Sequence, residues 1–268
     1  MKKISDKLFN FENQFKKTFL SEKFHKETKR TSRVKIPALK DTPKPWITID
    51  FKSYPRFPSY FLPIISSKKI NKPYGTVLKN RKSIRLYDNN KTLSAKTFST
   101  LLYHSAGINR RIGENWDTST RFYPSSGARY PLEVYIVIFG KSDLPNGIYH
   151  YFVKSHCLEF LREGNYKNEV IDSLGNFNGT QSASAAIYIS AIFQRNQVKY
   201  DDRGYRHILT ENGALIQTIY LTCAALGLGC CAQAGFLDDK INKLLDLDGQ
   251  MESVIGVLIV GNKKIERR

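Results

Sequence analysis

Residues 199–236, KYDDRGYRHILTENGALIQTIYLTCAALGLGCCAQAGF, decide how the rest of the chain is read. The stretch opens on a charged and phenolic cluster, Lys199-Tyr200-Asp201-Asp202-Arg203, and leaves through glycines at 227, 229 and 235. Between them Ile208, Leu209, Leu215, Ile216, Ile219 and Ala224 recur at helical spacing, and no proline interrupts 206–226. This predicts a helix about 30 Å long at 1.5 Å per residue. Its second half is apolar nearly all round, which calls for burial on every side, in a large core or against a second copy of the chain. Gln217, Thr218 and Thr222 interrupt it too often for a membrane span, which needs ~20 mostly apolar residues.

Outward from this helix, 268 residues with 41% hydrophobic and 12% aromatic content support one or two domains with a real core. A net charge of +18 favours anionic partners without choosing among nucleic acid, phosphorylated cofactor, acidic peptide and lipid headgroup. Cys157, Cys223, Cys230 and Cys231 form no CxxC pair and the five histidines have no zinc-site spacing, so no metal site is expected. With no signal-peptide pattern and no disulfide framework, the expected location is cytoplasmic.

Two regions are expected, an arm and wrap over 1–73 and a regular domain over 74–268. Residues 1–44 carry thirteen Lys or Arg against five Asp or Glu. Phe9, Phe11, Phe15 and Phe19 make an amphipathic helix one reading of this arm, a loosely docked tail the other. Prolines at 43, 45, 55, 58, 63 and 73 then favour an extended segment wrapped over a surface.

In the regular domain, Arg81-Lys82-Ser83-Ile84-Arg85 offers two forked guanidiniums around a hydroxyl, suited to a phosphate or a polar ring edge, though a solvated basic turn fits the residues equally. Ser94 caps a helix with Phe98, Leu101 and Leu102 on one face, ending at Gly107. The turn Pro124-Ser125-Ser126-Gly127 exposes backbone N–H groups and hydroxyls before a Val/Ile-rich strand over 132–139. A hairpin over 147–153 and 157–161, a short helix over 166–174, a strand over 185–193 delivering its end at 194–200, a helix over 238–245 and a strand over 253–260 complete the pattern.

Four motifs in order carry a resemblance: Arg81-x-Ser83-x-Arg85; Pro124-Ser125-Ser126-Gly127-Ala128-Arg129-Tyr130-Pro131; Lys199-Tyr200 ahead of Arg203-Gly204-Tyr205-Arg206; and Leu226-Gly227-Leu228-Gly229. Together they resemble the nitroreductase-like flavoproteins and, more narrowly, the SagB-type azoline dehydrogenases, over about residues 74–262. The resemblance implies an α+β fold, a mostly antiparallel central sheet flanked by helices, with the long helix at the centre of a homodimer and FMN at the subunit interface. It assigns Arg81, Ser83 and Arg85 to the flavin phosphate and ring edge. Pro124, Ser125, Ser126 and Gly127 would reach the ring from the partner subunit, and Leu228 and Gly229 would bring backbone N–H groups near it, with Cys230 next along.

The paired Lys199 and Tyr200 would supply the base that removes a Cα proton while thiazoline or oxazoline rings in a ribosomally made peptide become azoles. The partners implied are that peptide and a cyclodehydratase complex, with no nucleic acid expected. Gly213-Ala214 and Gln217-Thr218 depart from the family's usual Gly-His and Gln-Asn. A phosphate contact from Lys263, Lys264 or Arg267 has no fixed place. Two other functions remain open: an NAD(P)H-dependent reductase of nitroaromatics, quinones or dehydroamino acids, and a basic binding or scaffold protein.

Overall fold

The structure, a computed structural model, describes residues 19–30, 32, 41–47, 51–63, 70–111, 119–175 and 179–264. Phe9, Phe11, Phe15 and Arg267 lie outside these residues. By its internal contacts the chain divides into two units, 1–41 and 42–268. The first contains helix α1 (Leu20–Glu27), none of whose side chains is buried.

The second unit is built on a seven-stranded sheet in the order β1-β6-β5-β4-β7-β9-β8. Its strands are β1 (Ser59–Phe61), β4 (Leu132–Ile138), β5 (Gly147–Phe152), β6 (Cys157–Glu163), β7 (Ala185–Ile192), β8 (Leu228–Gln233) and β9 (Glu252–Asn262), and each described pairing is antiparallel. A small ribbon, β2 (Ile108–Arg110) with β3 (Thr120–Arg121), stands apart. Every residue of β4 is buried, as its run of Val and Ile requires of a strand covered on both faces.

One face of the sheet carries α4 (Ala95–Ala106) and the long α7 (Arg203–Leu226). Here Phe98 and Leu101 from α4 join Leu132, Ile136, Ile187, Leu215 and Leu258 in one buried cluster. The opposite face packs α5 (Lys167–Ser173) and α8 (Asp238–Leu245) through Val170, Ile241 and Leu245 against Tyr135, Val137, Tyr188 and Val257. The result is the α+β architecture expected, a sheet between helical layers. Ser94 caps α4 as its position predicts, its hydroxyl accepting the Thr97 N–H at 3.2 Å. Among the described residues no helix is long and apolar enough to cross a membrane.

Two expectations change. The proline-rich segment is more than a wrap: after α2 (Lys44–Ile47), β1 joins the sheet as its edge strand, pairing with β6. Pro58 and Pro63 flank that strand, where neither interrupts the ladder.

Residues 194–200 are a helix, α6 (Gln194–Tyr200), not the trailing end of a strand. Phe193 already has helical φ and ψ, and its carbonyl accepts the N–H groups of Asn196 and Gln197 at 3.1 Å each.

Within one chain α7 is not buried on every side, which leaves open the second of its two readings, burial against another copy. Ile208, Leu215 and Ile219 face the core, whereas Leu209 is 44% exposed and Gly213 and Gln217 are exposed on the other face.

Candidate active site

The expected site residues fall into two groups at opposite ends of α7, whose 24 residues span about 36 Å. At the C-terminal end, α3 (Tyr74–Asn80) stops at Arg81, whose N–H bonds back to Val77 and Leu78, and the chain continues without helix or strand through 82–86 to a single bridge between Tyr87 and Lys263. The Ile84 N–H donates to the Cys230 carbonyl at 2.9 Å, fastening this segment to β8. The Arg81 guanidinium lies 5.5 Å from the centre of the Tyr220 ring. The Tyr220 hydroxyl accepts the Ala232 N–H at 2.7 Å and shares a 3.1 Å hydrogen bond with Ser83 Oγ.

Gly229 is needed here because a β-carbon on it would stand 2.9 Å from both Ile84 Cγ2 and Tyr87 Cε1. Beside these groups opens a cavity of about 250 Å³, lined by Lys72, Lys82 and Lys263 as well as Ile84, Tyr220 and Leu228. Of the residues expected at a cofactor, Leu228 lines this cavity and Arg81 and Ser83 reach it through Tyr220. Arg85 is exposed and is not part of its lining.

At the N-terminal end, the turn 124–127 meets the Lys199–Tyr200 pair. Gly127 has φ +63°, and a β-carbon there would lie 2.4 Å from the Tyr200 hydroxyl and 3.3 Å from Lys199 Nζ. Ala128 and Tyr130 also take positive φ, so the turn is unusually strained for non-glycine residues. It is tied down by the Tyr130 N–H donating to Ser125 Oγ at 2.8 Å and by Arg129 Nε donating to the Arg195 carbonyl of α6 at 2.6 Å. The Tyr200 ring packs edge-on against His207, 4.8 Å between centres, and Lys199 Nζ lies 6.0 Å from the Trp46 ring of α2.

α6 is anchored from below by a buried ion chain. Arg195 pairs with Glu133, Glu133 with His150 Nε2 at 3.1 Å, and His150 Nδ1 with Glu159 at 2.7 Å. Burial opposes the charge on His150, but its two carboxylate partners raise its pKa, so it sits between them as an imidazolium. Burial likewise opposes the Glu133 carboxylate, and Arg195, His150 and Arg121 overcome it, pulling the group down to about 2. Under the turn, Glu211 of α7 is 3% exposed.

Sequence reading missed Tyr220, Lys72, Glu211 and Trp46. Tyr220 and Glu211 were legible as polar side chains on the buried stripe of the long helix. Trp46 had no signal, being far from Lys199 in sequence.

The profile of the Nitroreductase family matches residues 78–262. MJ1384 of Methanocaldococcus jannaschii, a protein named for the same family, is 28% identical over 171 residues, 64% of this chain and 83% of that one. The microcin B17-processing protein McbC of Escherichia coli is 29% identical over 185 residues, 67% of this chain but 65% of McbC, short of two thirds of its length. One chain of the E. coli McbBCD microcin synthetase complex, solved with truncated pro-MccB17 bound, shares the fold with a TM-score of 0.61 at 23% identity, covering 91% of this chain and 92% of that one. The family match takes in the 81–85 segment, the 124–127 turn, the Lys199–Tyr200 helix and the start of β8, well over half of the sequence: this chain belongs to the nitroreductase family.

Proposed function

We propose that this protein is an FMN-dependent dehydrogenase that oxidises thiazoline or oxazoline rings to azoles in a ribosomally made peptide, as a homodimer within a peptide-modifying assembly. The observation that carries this reading is the convergence of an amine and a phenol, Lys199 and Tyr200, on the Gly127 turn. A reductase that only passes electrons needs no such base, whereas an azoline must lose its Cα proton. The likeness to McbC, a microcin-processing protein, supports the peptide context.

The cavity beside Tyr220 suits an anionic flavin: among the described residues three lysines line it and no acidic side chain does. Lys72, Lys82 and Lys263 would take the phosphate of FMN, with Ser83, Leu228 and Gly229 along its ring. FMN, when bound, supplies the acceptor for the hydride that leaves the azoline Cβ. Tyr200 or Lys199 takes the proton from Cα, and the adjacent ammonium stabilises a phenolate if Tyr200 is the base. One chain holds its two groups at opposite ends of α7, so a complete site joins the 81–85 end of one copy to the 124–127 end of another. The exposed face of α7 around Leu209 and Gly213 is the surface on which the copies would meet.

The test is the visible spectrum of purified, FMN-loaded protein. Anaerobic addition of an azoline peptide should bleach the flavin. Lys199→Ala and Tyr200→Phe should keep the colour and lose the bleaching. Rapid bleaching by NAD(P)H with none by the peptide would favour a reductase instead, and a protein that takes up no flavin would favour a binding role.

A further inference from the structure

Three stretches distant in sequence meet on one side chain of the lysine-lined cavity. Tyr220 of α7 lines that cavity and is 8% exposed. The Arg81 guanidinium stands over its ring, 5.5 Å from the centre. Its hydroxyl accepts the N–H of Ala232 in β8 at 2.7 Å and lies 3.1 Å from Ser83 Oγ, 137 residues away. One partner would satisfy a buried phenol, yet this one has two, and a cation on its face.

Counting protons gives the Ser83 contact a direction. A phenol has a single O–H to donate. The Tyr220 oxygen already accepts from Ala232, and a phenol, being more acidic than an alkyl hydroxyl and conjugated with its ring, is the better donor and the poorer acceptor of the two. Tyr220 therefore donates and Ser83 accepts. Ser83 keeps its own proton, on an exposed side chain beside the cavity, for an acceptor that a ligand brings. The residue next to it is fastened separately, the Ile84 N–H donating to the Cys230 carbonyl at 2.9 Å. Tyr220 and Ile84 thus pin the 81–85 segment to β8 at two points.

We propose that Tyr220 is a positioning residue of the cofactor site: it presents the Ser83 hydroxyl as a hydrogen-bond donor to the carbonyl-bearing edge of the FMN ring, and its ring face holds the Arg81 guanidinium in place. This deepens the function proposed above and rests on its cofactor.

FMN binding to the flavin-free protein, followed by quenching of flavin fluorescence, tests the ligand half. Tyr220→Phe and Ser83→Ala should each raise the Kd about tenfold. The double variant should bind no more weakly than Tyr220→Phe alone, because the two side chains act through one hydrogen bond. Riboflavin, which lacks the phosphate, should weaken by the same factor, since the contact is with the ring. Ser83→Thr keeps the hydroxyl and should stay within about twofold of the wild type. A double variant about a hundredfold weaker, the product of two independent effects, overturns the proposal, and so does an unchanged Kd in Tyr220→Phe. Ser83 is exposed, so its variants report even if Tyr220→Phe folds poorly.

Hydrogen exchange without flavin tests the structural half. The Ile84 N–H bonds to Cys230 and not to Tyr220, so in Tyr220→Phe it should exchange about tenfold faster only if Tyr220 sets the whole segment, with β4 unchanged. Wild-type exchange at Ile84, or equal loosening of β4, overturns the positioning role. A wild type that takes up neither FMN nor riboflavin would sink the function proposed above and leave exchange at Ile84 to decide the part played by Tyr220.

Discussion

Gly127 and Tyr200 are packed so closely that a methyl group on the glycine would stand 2.4 Å from the phenolic oxygen. The turn and the Lys-Tyr helix, more than seventy residues apart in sequence, are therefore a single unit, and the chemistry proposed above would depend on their registry.

Gly127→Ala should strain this unit twice, through the φ of +63° and through the contact with Tyr200. The backbone part alone costs about 1–2 kcal/mol. A fall in melting temperature is expected, together with a loss of turnover of about tenfold or more while flavin stays bound. Combining it with Tyr200→Phe removes the nearest oxygen and should restore part of the melting temperature but none of the turnover. A double variant no more stable than Gly127→Ala alone would show that the contact is not what limits the site.

Gly229→Ala should act at the other end of α7. Its methyl group would push on Ile84 and Tyr87, both held in place by hydrogen bonds at Ile84 N–H and the Tyr87 hydroxyl. The 82–87 segment must then move away from the cavity, and FMN affinity measured by fluorescence quenching should weaken by about tenfold, which is 1.4 kcal/mol.

Mixed dimers separate a shared site from a single-chain one. At FMN concentrations too low to load Gly229→Ala, that parent and a parent carrying Lys199→Ala with Tyr200→Phe should each be nearly inactive. Combined in equal amounts they should recover about a quarter of wild-type activity, since half the dimers then contain one intact site of two. No recovery would place both groups in one chain's site.

The Glu133–His150–Glu159 chain fixes a pH window for stability. His150 has a raised pKa in the fold, so its contribution is complete below the ordinary histidine value near 6.5 and is lost as pH climbs through the folded value. Glu133, lowered to about 2, contributes fully above the ordinary carboxyl value near 4.5 and loses it as pH falls toward 2. The urea midpoint should be highest between these limits. Glu133→Gln should lower stability by about 3–5 kcal/mol by leaving Arg195 and His150 without their common partner.

Much of this was legible in the residues. The spacing of Ile208, Leu215 and Ile219 announced α7, the Val/Ile run of β4 announced a central strand, and Ser94 announced the start of α4. Helix α6 was hidden because QRNQVKY has too few apolar positions to show a period, and it is held by Arg195 and Phe193 instead. The motif residues fall at the two ends of α7, Arg81 and Ser83 beside Tyr220 and Gly127 against Tyr200, while Arg85 and Ser83 are exposed. The buried ion chain left no mark, since Glu133, His150 and Glu159 come from three strands and meet only when the sheet forms.

The edge strand β1 and the residues just before it also constrain how far this protein can be trimmed. The Tyr54 N–H donates to Glu159 at 2.7 Å, and Lys52 reaches Glu252 and the Tyr135 hydroxyl. A shortened version starting at the family-matched region would strip a donor from Glu159 and bare the outer rim of β6, inviting strand-to-strand clumping. Residues 51–61 therefore act as a sewn hem on the sheet, and their removal should show first as insolubility rather than as lost chemistry.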